Sequence, residues 1–353
     1  MKSKTIGLAI SICLLFSVTG CRADKTTGGY EKVEKSEFLM GTVVTIKVYD
    51  RDINKADSAA EKALDRIREI EGLMSATQKN SEVDLINQNA GKKPVKVSAD
   101  TQRVVEKGLY YGRLSGGLFD ITVGPLVKLW GIGTENPQVP REQELKNALE
   151  LTDYRDVEVN GEKGEVYLKR RGMGLDLGGI AKGYAADEAK KVLAGEGIKH
   201  AIINLGGNVL AIGARYDGKP WNIGIKDPEE PAKGLLGIVR ITDATIVTSG
   251  DYERYFEKDG KRYHHILNPF TGYPEKGEVR GITIVTSSSF DADALSTTVF
   301  LLGVEKGMDL VENLEGVEAI VVTDDRQVVL SSGIGNWFSL SKPDYKIRRV
   351  GAE

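Results

Sequence analysis

Residues 287–302 read SSSFDADALSTTVFLL, and the rest of the chain is organised around this stretch. Three serines open it, any of which can cap a helix, and Ala294, Leu295, Val299 and Leu302 then recur at helical spacing. The pattern predicts a buried helix with a polar first turn. On that helix Asp293 and Thr297 stand four residues apart, so a carboxylate and a hydroxyl face the same way near its positive end. With nearby carbonyls this is the oxygen set that Mg²⁺ accepts when a phosphate completes the octahedron. An aspartate in a first helical turn is also favourable with no metal, so the pair alone leaves both readings open.

Upstream of the helix the strand signal is dense. Short runs at 157–159, 166–169, 201–205, 209–213, 221–225, 235–241 and 245–249 are separated by glycine or proline turns. Asp259-Gly260 sits between runs at 254–257 and 262–266, a short-range hairpin signal. Earlier still, residues 38–49 alternate, with Val44, Ile46 and Val48 on one face and Thr45 and Lys47 on the other, which predicts a half-buried strand. Residues 54–74 form an amphipathic helical pattern, and a second helix begins at Ser98 and stops at Gly116-Gly117. Strand and helix do not alternate regularly. The expected class is therefore α+β, with mixed or antiparallel sheets and flanking helices, rather than a doubly wound fold.

The first twenty residues lie outside the fold. Lys2 and Lys4 precede an apolar run at 6–16, and Val18-Thr19-Gly20-Cys21 closes it like a bacterial lipobox. The expectation is a lipoprotein signal peptide over 1–20, a lipidated Cys21 and a polar tether over 21–36. The protein would then be anchored to a membrane on its extracytoplasmic face or stand in the periplasm. Cys13 and Cys21 are the only cysteines, so the fold beyond them has no disulfide, zinc-thiolate site or cysteine nucleophile. Without Lys2 and Lys4 the 48 basic groups become 46 against 51 acidic ones, a net charge of −5, and nothing points to nucleic acid.

Three further stretches carry chemistry. Residues 174–184, GLDLGGIAKGY, run from a short strand into a helix reaching about residue 193. Glycines at such a corner let backbone approach a ligand, although neither a Walker pattern nor a full dinucleotide fingerprint is present. Asp176, a carboxylate on a buried-looking strand, needs a partner. Residues 116–126, GGLFDITVGPL, place Asp120 and Thr122 in an apolar segment, where they either serve the fold or bond a ring edge; Phe119 and Trp130 read as core. In residues 263–274, YHHILNPFTGYP, a strand would send His264 and His265 to opposite faces, so one of them at most serves a given site.

Together with Leu39-Met40-Gly41-Thr42 and Asn204-Leu205-Gly206-Gly207-Asn208, these stretches resemble the ApbE family of FAD:protein FMN transferases, in the family's order, across residues 37–340. The resemblance implies two packed lobes with FAD in the cleft, a 341–353 tail, and an enzyme that uses Mg²⁺ to move the FMN half of FAD onto a threonine or serine hydroxyl of another protein, releasing AMP. Asp293 and Thr297, with the Gly179 carbonyl, resemble the metal ligands. Met40, Leu118, Phe119, Asp120, Asp176 and Lys182 match positions that contact FAD, and His265 matches the histidine at the flavin-phosphate site, implied to be the general base. The acceptors implied are subunits of membrane redox complexes or extracellular electron-transfer proteins.

This chain departs from the family pattern at Thr77, where a tyrosine is frequent, at Lys182, where other members carry glutamate, and at Asn268, where aspartate is common. Two alternatives follow. If water attacks instead of a protein hydroxyl, the protein is a Mg²⁺-dependent FAD pyrophosphatase giving FMN and AMP. A lipoprotein that only binds flavin is the other, and Asp293, Thr297 and His265 argue against it. No Ser-Gly-Ala-Thr-like acceptor segment occurs in the chain itself.

Overall fold

The structure is a computed structural model that describes residues 24–25, 28–232 and 234–351. The expected signal peptide and Cys21 lie outside these residues. A hairpin opens the fold: β1 (Glu31–Leu39) and β2 (Thr42–Asp50) pair antiparallel from Glu31↔Asp50 to Leu39↔Thr42. Met40 and Gly41 form the turn, with φ of 53° and 71°, as a two-residue hairpin with the right-handed twist of its strands requires. Val44, Ile46 and Val48 are fully buried, as their alternation predicts.

The expectations at the hairpin need two corrections. Residues 38–39 belong to β1 rather than to the strand that follows, and residues 31–36 are strand rather than tether. The polarity of that stretch is ion pairing on a sheet edge. Lys35 reaches Asp57 at 3.1 Å and Glu61 at 2.9 Å on α1 (Ile53–Met74), and Val33 is buried behind it.

The second expected helix is α2 (Ala99–Leu114), capped by Ser98, and a short α3 (Gly124–Trp130) follows with Pro125 in its first turn. Next come α4 (Ala181–Gly195), β3 (Ala201–Leu205), β4 (Asn208–Ile212), β5 (Trp221–Lys226), β6 (Leu235–Ile241) and β7 (Thr245–Gly250). The Asp259-Gly260 hairpin is present as β8 (Tyr255–Lys258) and β9 (Lys261–His264). The chain ends with β10 (Val279–Thr286), α5 (Ser289–Leu302), β11 (Glu318–Thr323), β12 (Gln327–Leu330), β13 (Phe338–Leu340) and β14 (Lys346–Arg349).

One ten-stranded mixed sheet holds these together. Beyond a short edge strand at Asp24–Lys25 its order is β1-β2-β3-β4-β7-β10-β11-β12-β14, antiparallel throughout except for the last pair. Helices α1, α4 and α5 cover one face, where Ile46, Ile203, Ile282, Ile284 and Val321 join the main core. A three-stranded sheet, β13-β6-β5, covers part of the other, where Ile246, Val285, Ile320 and Val328 meet Trp221, Leu236 and Val239. The α+β class with mixed sheets is what the pattern of elements predicts.

Residues 341–351 are not simply a tail. β14 pairs with β12, Tyr345 is buried, and its hydroxyl donates to Asp227 Oδ1 at 2.6 Å. A third, smaller apolar cluster stands beside the sheet. It gathers Leu126 and Trp130 of α3, Leu145 and Ala148 of the helix Glu142–Leu149, and Leu267 beyond β9. The Trp130 Nε1–H donates to the Gly272 carbonyl at 2.7 Å, tying that cluster to the turn after Asn268.

Candidate functional site

A cavity of about 600 Å³ opens where the small cluster meets the main body. It is large enough for a dinucleotide-sized ligand to lodge in part. Its wall includes Leu118, Phe119, Asp120, Asp176, Gly179, Lys182, His265, Asp293 and Thr297, so nine of the ten residues expected to serve the cofactor, metal or chemistry share one cavity. Met40 is not in the wall itself; its turn partners Gly41 and Thr42 are. Met40 is half-buried in the left-handed conformation, and its N–H donates to Glu71 Oε1 at 2.6 Å.

The 287–302 stretch is the helix its spacing predicts. Ser288 caps it, accepting from the Asp291 N–H at 3.1 Å, while Asp187 of α4 accepts from the N–H groups of Ser289 and Phe290, both at 3.0 Å. The positive end of α5 is thus satisfied by protein. Asp293, in the second turn, is 3% exposed; its Oδ2 accepts from the Gly183 N–H at 2.9 Å and its Oδ1 lies 3.2 Å from Lys182 Nζ. This contact explains Gly183: a Cβ there would collide with the Ser289 carbonyl and stand 2.7 Å from the Asp293 Cβ, so α4 and α5 cross only through a glycine.

Thr297 lies one turn further along the same side. A Cβ on Gly179 would stand 3.6 Å from Thr297 Oγ1 and 3.4 Å from the Phe119 ring, so Gly179, Thr297 and Phe119 meet. Carboxylate, hydroxyl and glycine are therefore brought together as the metal reading requires. The position already holds positive charge, because the Lys182 ammonium is paired with Asp293. Asp293 is the carboxylate beside Thr297 and Gly179, and among the described residues no group of three or more His, Cys, Asp or Glu could hold an ion. An all-oxygen set with one carboxylate fits Mg²⁺ that takes its remaining ligands from phosphate and water.

His264 and His265 separate as strand alternation predicts. His264 is buried on the far side, donating from Nε2 to the Glu275 carbonyl at 2.8 Å and accepting at Nδ1 from the Ile266 N–H at 3.3 Å. His265 faces the cavity and donates from Nδ1 to the Arg254 carbonyl at 3.3 Å, the tautomer that leaves the Nε2 lone pair free. Desolvation, then the Arg254 and His264 charges, lower His265 below the usual imidazole range, so the half-buried ring is neutral at ordinary pH.

Asp120 and Thr122 resolve toward the fold. Asp120 Oδ1 accepts from the Thr122 N–H at 2.7 Å and its hydroxyl at 2.6 Å, Oδ2 accepts from the Tyr154 N–H at 2.8 Å, and Thr122 Oγ1 accepts from the Asp153 N–H at 2.8 Å. These bonds pin the 118–122 loop that forms the wall, and burial raises the Asp120 carboxyl above the usual range. Asp176 is not on a strand, as its apolar neighbours suggested. It follows an isolated bridge between Val123 and Gly174, is half-buried, and accepts from the Gly178 N–H at 2.8 Å. Thr77 is exposed in the loop after α1, outside the cavity wall.

Two further residues line the wall: Asn208 ends the Asn204-to-Asn208 stretch that carries the family resemblance, and Glu253 has no sequence signal that singles it out. Glu253 lies in a charged run after β7 and its side chain reaches solvent at the cavity mouth; the protein crowding it there raises its carboxyl toward about 7, against the pull of Lys182, Arg254 and Lys226. Asn208 is 1% exposed at the start of β4. Both acquire their neighbours only through tertiary contacts. The cavity is consequently polar on the side of Lys182, Lys226, Glu253 and Asp293, and apolar where Val123, Val127, Ile132 and Leu267 of the small cluster reach it.

Comparison with known proteins places these features in a group. A family model described as the ApbE family matches residues 40–321. A FAD:protein FMN transferase of Treponema pallidum is 35% identical over 353 residues, spanning 95% of this chain and 96% of that protein. One from Klebsiella pneumoniae is 39% identical over 297 residues, 84% and 91% of the two chains. The solved structure of the ApbE protein of Thermotoga maritima superposes with a TM-score of 0.76 at 35% identity, covering 83% of this chain and 94% of that one.

Proposed function

The chain belongs to the ApbE family, and on that premise we propose that it is a FAD:protein FMN transferase, moving the FMN half of FAD onto a hydroxyl of an acceptor protein. The observation that carries this reading is the divided cavity, apolar on one side and built around a cation-holding carboxylate on the other, with a neutral imidazole in its wall. The apolar side suits an isoalloxazine ring. The polar side suits a diphosphate.

In the reaction the acceptor hydroxyl oxygen forms a bond to the FMN phosphorus while the bond from that phosphorus to the AMP oxygen breaks, and the hydroxyl proton passes to His265 Nε2. His265 can take it because its Nδ1–H is already committed to Arg254. Lys182, released from Asp293, would lie within reach of phosphate oxygens. Asp293, Thr297 and the Gly179 carbonyl would hold Mg²⁺, which when bound supplies charge neutralisation across the diphosphate. Leu118 and Phe119 would border the ring, and the Met40-Gly41 turn would close that edge.

The same reading includes a lipid at Cys21 anchoring the enzyme on the extracytoplasmic face, where its acceptors would be membrane redox subunits or extracellular electron-transfer proteins. The test incubates the protein with FAD and Mg²⁺, with and without an acceptor carrying a Ser-Gly-Ala-Thr-like segment, following AMP and in-gel flavin fluorescence together. AMP in step with fluorescent acceptor is the expected result. AMP with only free FMN would make the protein a pyrophosphatase, and no AMP would overturn both.

A further inference from the structure

The Asn204-to-Asn208 turn between β3 and β4 has no part in the chemistry described so far. Asn208 nevertheless forms part of the cavity wall while 1% exposed. Its Oδ1 accepts from the Ser289 hydroxyl at 2.7 Å, and its Nδ2 has no hydrogen-bond partner among the described residues. Buried amide donors are rarely left unpaired, and one that is calls for an acceptor from outside the protein, a water, an ion or a ligand.

The surroundings identify that acceptor. Ser289 lies four residues before Asp293 on α5, so Asn208 is fixed to the helix that carries the carboxylate. The adjoining Gly207 is beside Glu253, whose charged neighbours are Lys182, Lys226, Arg254 and Asp293. A neutral donor among two lysines and an arginine belongs to the anionic end of a ligand, not to an apolar ring. The helix end nearest to it cannot serve instead, because Ser288 and Asp187 already occupy its first amides.

We propose that Asn208 is a binding residue that donates its Nδ2–H to a phosphate oxygen of the flavin dinucleotide. This rests on the transferase reading, and the experiment separates the two. Binding of FAD and of riboflavin to the full chain is titrated by flavin fluorescence without divalent metal, for the wild type, Asn208→Asp, Asn208→Ser and Ser289→Ala. Asn208→Asp keeps an acceptor for Ser289 but sets a negative charge against phosphate. It should weaken FAD by about tenfold or more, the size of a lost hydrogen bond to a charged group, with riboflavin changed less than about twofold.

Asn208→Ser, which shortens the side chain without adding charge, should shift the ratio of FAD to riboflavin affinity in the same direction and serves if the aspartate variant does not fold. Ser289→Ala removes the brace and leaves the donor, so that ratio should stay as in the wild type. Unchanged FAD affinity in the Asn208 variants, equal losses for riboflavin, or the same ratio shift in Ser289→Ala would each overturn the assignment. A wild type that binds no FAD even after Mg²⁺ is added would remove the transferase reading itself.

Discussion

The two sides of the cavity are built from different material. The polar side stands on α4 and α5, two helices that cross at Gly183 and lie against a ten-stranded sheet, and Asp293 is held there by a main-chain N–H and an ammonium. The apolar side stands on a pinned loop, a seven-residue helix and a turn, packed into a cluster of its own around Trp130. Charge on a transferring phosphoryl group demands exact geometry because electrostatic stabilisation falls with small displacements. An apolar ring demands area and tolerates some movement. The division predicts that damage on the polar side appears in turnover, and damage on the apolar side in stability and substrate affinity.

The largest effect should come from Asp293→Asn. The amide oxygen can still accept from Gly183, so the α4–α5 crossing and the melting temperature should be kept, while the negative charge is lost. AMP release should fall by roughly 10²–10³-fold. Wild-type turnover in this variant would sink both the metal assignment and the comparison.

Trp130→Phe tests the other side. It leaves the ring volume nearly filled but takes the donor from the Gly272 carbonyl, which should cost about 1–2 kcal/mol of stability and raise KM for FAD with kcat little changed. An equal fall in kcat would mean that the small cluster also positions the reacting atoms. A smaller effect concerns pH. Glu253, pushed up to about 7 while His265 is pushed down, is the group of the two that changes charge near neutrality. It is neutral below that value and anionic above it, so FAD affinity should fall a few-fold, roughly, between pH 6 and 8 as a carboxylate appears beside the diphosphate. Glu253→Gln should flatten that slope, measured by flavin fluorescence across the range.

Much of this was legible before any coordinates, for identifiable reasons. The 287–302 helix announced itself through spacing and a serine cap, the Asp259-Gly260 turn through the backbone geometry those residues permit, and the split between His264 and His265 through strand alternation. What sequence hid was tertiary. β10, β11 and β12 are buried on both faces, so their residues alternate between two apolar layers and show no polar period by which to recognise a strand. Residues 31–36 looked like a tether because their charges are spent on α1. The carboxylate of Asp120 and the hydroxyl of Thr122 were compatible with a ligand, and only the positions of Asp153 and Tyr154 show that backbone takes them. Glu253 has no local pattern at all, and the Asn204-to-Asn208 motif marks a glycine turn without showing that its last amide is buried against α5.

The smallest effect should come from the rim. Phe38 and Val43 face each other across the hairpin at 70% and 58% exposure, immediately before and after the Leu39-Met40-Gly41-Thr42 turn whose last two residues enter the wall. A cross-strand apolar pair this open to water contributes about 0.5 kcal/mol, so Phe38→Ser should barely move the melting temperature. FAD affinity should also stay within about twofold, because Met40 is held in its left-handed conformation by the turn and by Glu71 rather than by the pair. If affinity falls markedly while stability does not, the turn geometry depends on Phe38, and the hairpin becomes a third determinant of flavin binding alongside the two sides of the cavity. If neither changes, what the rim presents to solvent is free of any duty toward FAD, and the division between a rigid charged side and a compliant apolar side is sufficient.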